Sequence, residues 1–240
     1  MNVPRVINAA NIQEAWIEAA KILAQNSWEF WNLIVHISTP NTLDELRDAE
    51  ICGFLNSRCD LPVKDVAYTI FPSDFYRRLG SSERLFEKYP TFYRRLKYAG
   101  PGHWGNYFWR MTNYQTSEGK VNQLRNIINA IRASDKTYRV AYTIVIEKPG
   151  NETTRRRGAP CLNYIALQIE PGVARQRLGL LAVYRNHDFL NKAYGNYTGL
   201  RNLLLFLANE ANCDPGPLTC VSSHAYVTNN KPHLNGFLGG

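Results

Sequence analysis

The segments PCLNYIALQIE (160–170), RLGLLAVYRNHD (177–188) and PLTCVSSHAYVT (217–228) decide how this chain is built. Each carries an apolar run of strand length, and the last alternates apolar with polar positions, as a half-buried strand does. Between the second and third lies NYTGLRNLLLFLANEA (196–211), where Leu200, Leu203, Leu204, Leu207 and Ala208 fall on one helical stripe. Strand, loop, strand, helix, strand is an α/β arrangement in which three late strands carry one site.

Upstream, YRVAYTIVIE (138–147) reads as a buried strand, and residues 121–132 as a helix with Leu124, Ile127, Ile128 and Ile131 inward. Residues 100–106 form a Gly-rich loop containing His103 and Trp104. Nearer the N-terminus, residues 11–25 form an amphipathic helix through Ile12, Ala15, Trp16, Ala19, Ile22 and Leu23. NLIVHIS (32–38) is a strand, Thr42 is expected to cap a helix through about residue 55, and VKDVAYTIFP (63–72) reads as a second strand closed by Pro72. Residues 73–98 form a basic helix with Arg77, Arg78, Arg84, Lys88, Arg94, Arg95 and Lys97. Its charges are expected on a solvated face. The interleaved Phe75, Tyr76, Phe86, Tyr89, Phe92 and Tyr93 recur at helical spacing, which favours core packing over stacking on nucleic acid.

The whole, 240 residues with 45% apolar and 20% charged, fits one domain with a core able to fold without disulfides or metal. The N-terminal residues lack the apolar centre of a signal peptide, and LRNLLLFLA is too short to span a bilayer, so a soluble, cytoplasmic protein with no membrane partner is expected. Five cysteines, Cys52, Cys59, Cys161, Cys213 and Cys220, are an odd number, which favours free thiols; the 52/59 and 213/220 spacings are not those of zinc sites. The net charge of +8 favours an anionic partner without choosing among nucleic acid, nucleotide and phosphorylated metabolite.

Taken singly, the polar residues of the late strands have ordinary explanations. Cys161 fits a packed thiol. Arg185 fits a solvated strand end. Asn196 fits a helix cap. His224 and Tyr226, two apart on one strand face, fit a hydrogen-bonded core pair.

Their order and spacing change this. Pro160-Cys161 heads a strand, Arg185-x-x-Asp188 follows, Asn196 comes eight positions after the aspartate, and His224-x-Tyr226 lies beyond a leucine-rich helix. This series resembles the thymidylate synthase and pyrimidine nucleotide hydroxymethylase superfamily, with the chain a short, divergent member. The upstream WGNYFWR, the helix 121–132 and the strand after it are also similar. The resemblance covers residues 100–228 well and residues 1–99 poorly. It implies a thymidylate synthase-like α/β fold, a large mixed sheet with flanking helices in one domain over 1–240.

The resemblance implies one-carbon transfer from 5,10-methylenetetrahydrofolate to C5 of a pyrimidine nucleoside monophosphate. C5 becomes nucleophilic only after a thiolate adds to C6, the role implied for Cys161. A nearby cation, Arg185, is expected to lower the thiol pKa and to grip the phosphate with its planar fork. Asn196 would read the base, leaning toward uracil; the Asp188 N–H would hold O2; and His224 with Tyr226 would hold the sugar hydroxyl. Arg139 falls where a partner subunit's phosphate-binding arginine lies in the family, with Tyr138 replacing the other arginine of that pair, and a homodimer through the sheet face is implied.

Four departures stand beside this likeness. Leu162 replaces the histidine that follows the cysteine in the usual synthase. The family's N-terminal glutamate has no secure match, Glu50 being the nearest candidate. Ser222-Ser223 replaces Gly-Asp before the His-x-Tyr. Finally, the sequence ends 14 residues after Tyr226, whereas longer synthases close their C-terminus over the folate. Less closure lets water reach the exocyclic methylene, so hydroxymethylation and methylation both stay open. Folate-independent C5 chemistry and a catalytically retired nucleotide-binding protein are the alternatives.

Overall fold

The computed structural model describes residues 3–96, 104–133, 141–150, 152–155, 158–172 and 174–239. In chain order, β1 (Arg5–Ala9), α1 (Ile12–Gln25) and β2 (Glu29–Ile37) precede four helices, α2 (Glu45–Asn56), α3 (Val63–Ile70), α4 (Ser73–Leu79) and α5 (Ser82–Tyr93). Then come α6 (Tyr107–Thr112), a hairpin of β3 (Tyr114–Thr116) and β4 (Gly119–Val121), α7 (Gln123–Arg132), β5 (Ala141–Val145), β6 (Leu162–Glu170) and β7 (Arg177–Tyr184). A two-residue strand β8 (His187–Asp188) and a π-helical turn (Phe189–Ala193) lead into α8 (Tyr194–Glu210), β9 (Asp214–Tyr226) and α9 (Lys231–Phe237).

The large sheet has seven strands in the order β1-β2-β9-β7-β6-β5, with β8 joining β9 beyond the end of β7. It is mixed: β1/β2, β7/β9 and β8/β9 run parallel, whereas β2/β9, β6/β7 and β5/β6 run antiparallel. The α/β fold with a large mixed sheet and flanking helices is therefore the one expected. Across the centre, Leu33, Val35, Cys220, Ala182 and Tyr184 are buried on the face covered by α1 and α8, while Ile34, Val221 and Val183 between them are half-buried on the other. The period of two puts the first set against the helices. Leu200, Leu203, Leu204 and Leu207 of α8 are all buried there, each stabilising the fold by about 1.5–3 kcal/mol.

Residues 63–70 correct the sequence expectation, for they form helix α3 and not a strand. Val63, Val66, Ala67 and Ile70 are its buried residues, at i, i+3, i+4 and i+7, while Lys64 and Asp65 are exposed. The helical period outweighs the β-branched composition, because only a helix lays those four residues on α8. The two helices meet at glycines. A Cβ on Gly199 would sit 2.8 Å from the Ala67 carbonyl oxygen, and one on Gly195 2.6 Å from Val66 Cβ. Gly199→Ala is accordingly expected to cost about 1–3 kcal/mol, measurable as a lowered midpoint in denaturant unfolding with an unchanged m-value.

The basic segment is two helices, since Gly80 at φ +75° ends α4 and the Ser81 side chain caps α5 by accepting from Arg84 N–H. Its aromatics enter the core: Phe86, Tyr89 and Tyr93 are buried, and Phe75 stacks on Phe92 at 4.8 Å. Asp44, not Thr42, caps α2, and Asn122 caps α7. The expected strand 138–147 is described from residue 141 onward. Among the described residues no helix is long and apolar enough to cross a membrane.

Candidate functional site

Strand β6 begins one residue after Cys161, and its pairing with β7 slips between Leu162 and Tyr164. Asn163 is the extra residue of this bulge. Its Oδ1 accepts from the Arg185 N–H (3.2 Å), which also donates to the Cys161 carbonyl (2.9 Å). The bulge thus ties the start of β6 to the end of β7 and sets Cys161 beside Arg185. Past Tyr184 the chain steps out through Arg185 and Asn186 and rejoins the sheet as β8, with Asp188 opposite Tyr226 of β9.

Asp188 caps the π-helical turn, its Oδ1 accepting from Asn191 N–H at 3.0 Å and its Oδ2 from the Asn191 amide at 2.9 Å. Asp188, Lys192 and Asn196 follow at intervals of four, so a helical path puts all three on one side. That side faces a cavity of about 370 Å³. Its walls are Cys161 with Gly158 and Ala159, Asn186 to Asp188, Lys192, Asn196, Tyr226, the segment Trp104–Tyr107, and Val66 and Thr69 of α3.

Of the residues singled out in sequence, Cys161, Asp188, Asn196 and Tyr226 line this cavity together. Arg185 lies against the Cys161 sulfur within hydrogen-bonding reach, and its Nε is buried with no partner among the described residues. His224 stands behind the wall. Its Nδ1 is 3.0 Å from Asn186 Oδ1, its Nε2 2.6 Å from Glu29 Oε1, and its ring stacks on Trp31 at 4.3 Å and on Tyr226 at 5.0 Å. Arg139 and Tyr138 lie outside the described residues. Glu50 is not at the cavity: its exposed side chain pairs with Arg47 at 2.8 Å, and no glutamate lines the cavity among the described residues. Asn196 is not a helix cap either, since α8 starts at Tyr194 and the amide turns toward His187.

The expected lowering of the Cys161 pKa is not what the free protein shows. Burial pushes the thiol up and wins; the Arg185 guanidinium pulls it down, Asp188 adds to the rise and Lys192 opposes it. Burial pulls the Lys192 ammonium below its ordinary value, with Asp188 resisting. If these cations hold the sulfur back from a still higher pKa, removing them slows its ionisation. Arg185→Met and Lys192→Met should each move the pH midpoint of Cys161 alkylation by iodoacetamide upward, Arg185→Met by more, with several-fold slower labelling near pH 8. An unmoved or lowered midpoint refutes the assignment.

Sequence reasoning missed Lys192, His187 and Asn186. The four-residue spacing from Asp188 to Lys192 to Asn196 was the available signal for the lysine. No signal announced His187, because its partners come from β9 and α8.

None of the known protein-family models matches the chain. Three archaeal proteins, each bearing the name "Putative thymidylate synthase", are similar over nearly its whole length. Those of Methanosarcina mazei and Methanosarcina acetivorans are each 24% identical over 226 residues, 94% of this chain and 90% of theirs. That of Methanococcoides burtonii is 26% identical over 228 residues, with the same coverage. The chain is thus similar, along nearly its whole length, to proteins named as thymidylate synthases. At 94% coverage the likeness to these relatives takes in most of residues 1–99 as well, where the sequence motifs are weakest.

Proposed function

We propose that the chain transfers a one-carbon unit from 5,10-methylenetetrahydrofolate to C5 of a pyrimidine nucleoside monophosphate through a covalent Cys161–C6 adduct. The observation that carries this is the cavity itself, which has the Cys161 sulfur and the Asn196 amide on its wall and the Arg185 guanidinium beside the sulfur. Its volume falls in the range of small-molecule sites. Arg185, beside the sulfur, carries a planar fork of donors that suits a phosphate dianion. Asn196 presents amide groups to the edge of the base, and Tyr226 offers a hydroxyl to the sugar.

Addition of the thiolate to C6 places enolate character on O4 and makes C5 nucleophilic. Once C5 is substituted it must lose its proton before the sulfur can leave. Lys192 is the titratable amine on the cavity wall, and burial pulls its pKa below the ordinary lysine value, which eases proton exchange with a bound substrate.

A second cavity of about 500 Å³ shares Trp104 and Gly105 with the first and adds Tyr93, Trp109, Arg94 and Lys120. Aromatic walls with two cations at the rim fit a planar heterocycle bearing an anionic tail, the chemistry of the folate donor. When bound, that donor supplies the one carbon and, for a methyl product, the hydride. The half-buried sheet face around Ile34, Val183 and Val221 supports a homodimer, which would let Arg139 serve the neighbouring site.

The test is a mass-spectrometric screen of dUMP, UMP, dCMP and CMP with the folate donor. Gain of a methyl or hydroxymethyl mass on one of them is the expected result. Tight binding with no added mass and no C5 labelling removes folate chemistry from the proposal.

A further inference from the structure

Asn196 is 4% exposed, so its amide has few places to turn. Its Nδ2 lies 3.1 Å from His187 Nε2, and His187 Nδ1 lies 2.8 Å from Ser222 Oγ. Both partners are buried, His187 at 1% and Ser222 at 0%. The imidazole lies flat on Tyr184, with centroids 4.2 Å apart and planes 1° apart, and meets Tyr197 edge-on at 5.8 Å. Such packing leaves the ring no room to swing. Burial also lowers its pKa to about 3, so near neutrality it carries one N–H and one lone pair.

These contacts form a directed chain. Ser222 also lies near the buried Cys220 sulfur and lowers the pKa of that thiol, an orientation that turns the hydroxyl proton toward sulfur and leaves Oγ to accept from His187 Nδ1–H. The Nε2 lone pair then accepts one Asn196 N–H. What remains for the cavity is one Asn196 N–H and Oδ1, in fixed places. Uracil offers N3–H and O4 along its edge; cytosine offers the reverse order, an acceptor at N3 and a donor at N4. A free amide can flip to suit either, but an amide tied to a tautomer-locked imidazole cannot.

We propose that Ser222 and His187 are positioning residues that fix the Asn196 amide and thereby confine the site to uracil nucleotides. This rests on the pyrimidine reading above and adds its specificity. Ser222→Ala removes the acceptor for Nδ1–H. The ring then gains by shifting its proton to Nε2, and the Asn196 amide reverses to present Oδ1 to it.

Imidazole ¹⁵N NMR of the labelled wild-type chain should show His187 as the neutral Nδ1–H tautomer at pH 7, changing to Nε2–H in Ser222→Ala. The kcat/KM ratio for dUMP or UMP over the matching cytosine nucleotide should fall about 10-fold or more in S222A, while Ser222→Thr, which keeps the oxygen, restores it. A wild-type Nε2–H tautomer, an imidazolium at pH 7, or an unchanged ratio in S222A overturns the proposal. So does a wild-type enzyme that takes both bases equally, although that result leaves the pyrimidine reading intact. Failure to bind any pyrimidine nucleotide sinks both that reading and the specificity built on it.

Discussion

Cys161→Ala and Cys161→Ser should both abolish one-carbon transfer and release of tritium from a C5-tritiated nucleotide, with a loss of at least about 10³-fold. Neither replacement supplies a nucleophile. Alanine has none, and a serine hydroxyl, whose pKa lies far above a thiol's, supplies almost no alkoxide even with Lys192 nearby; His187 is committed to Ser222 and Asn196, and the exposed Glu50 pairs with Arg47. Nucleotide binding should change much less, by under about tenfold, if recognition falls as proposed to Arg185, Asp188, Asn196 and Tyr226. Equilibrium binding of nucleotide to both variants, run beside tritium release, separates the two effects. Turnover surviving in Cys161→Ala defeats the covalent route; lost binding in both variants means that the sulfur's role is in shaping the cavity.

The resemblance singled out Cys161, Arg185, Asp188, Asn196 and Tyr226, and the structure brings four of them, all but Arg185, onto one cavity wall. They meet because they sit at strand ends and along one helical path, where spacing in sequence becomes position in space. What spacing does not convey is which long-range contact a side chain prefers. Asn196 looked like a helix cap, yet α8 extends two residues further back and the amide binds an imidazole. The cation near Cys161 was foreseen, but not that burial of the sulfur would outweigh it. Residues 63–70 were misread because Val and Ile favour strands by composition, while burial at i, i+3, i+4 and i+7 follows the helix they pack against. The strand β1, the helices α6 and α9 and the hairpin β3/β4 were passed over, being short elements whose stability comes from neighbours rather than pattern. Helix α9 packs through Phe237, which stacks on Phe54 of α2 at 4.4 Å.

Loss of the Glu152 carboxylate should be the most damaging single change outside the cavity. Arg110 is a buried cation, its side chain 7% exposed, and it donates NH1 and NH2 to the two oxygens of Glu152 at 2.8 and 2.6 Å. It also donates NH1 to the Ile146 carbonyl at 2.9 Å and Nε to the Trp104 carbonyl at 2.8 Å. One guanidinium therefore pins the cavity wall at Trp104 to the strand end after β5. Glu152→Ala strands that charge, at a cost of about 3 kcal/mol, whereas a double replacement of Arg110 and Glu152 by apolar residues should recover part of it. Burial tends to raise the Glu152 carboxyl, but the bonds from Arg110 and from the Lys148 N–H outweigh it, so its pKa lies below the ordinary carboxylate value. A carboxylate held low in the folded state stabilises above its unfolded pKa, and that contribution fades as pH falls toward the folded one. The stability gap between wild type and Glu152→Ala should therefore be full at pH 7 and shrink below about pH 4.5. Chemical unfolding of both proteins across pH 3–7 reads this directly, and a gap that stays constant or widens in acid contradicts it. Because Trp104 forms one side of the cavity, the same variant should also show a raised KM for the nucleotide at temperatures where it remains folded. A variant that is less stable yet keeps the wild-type KM would mean that Arg110 supports the fold without shaping the site.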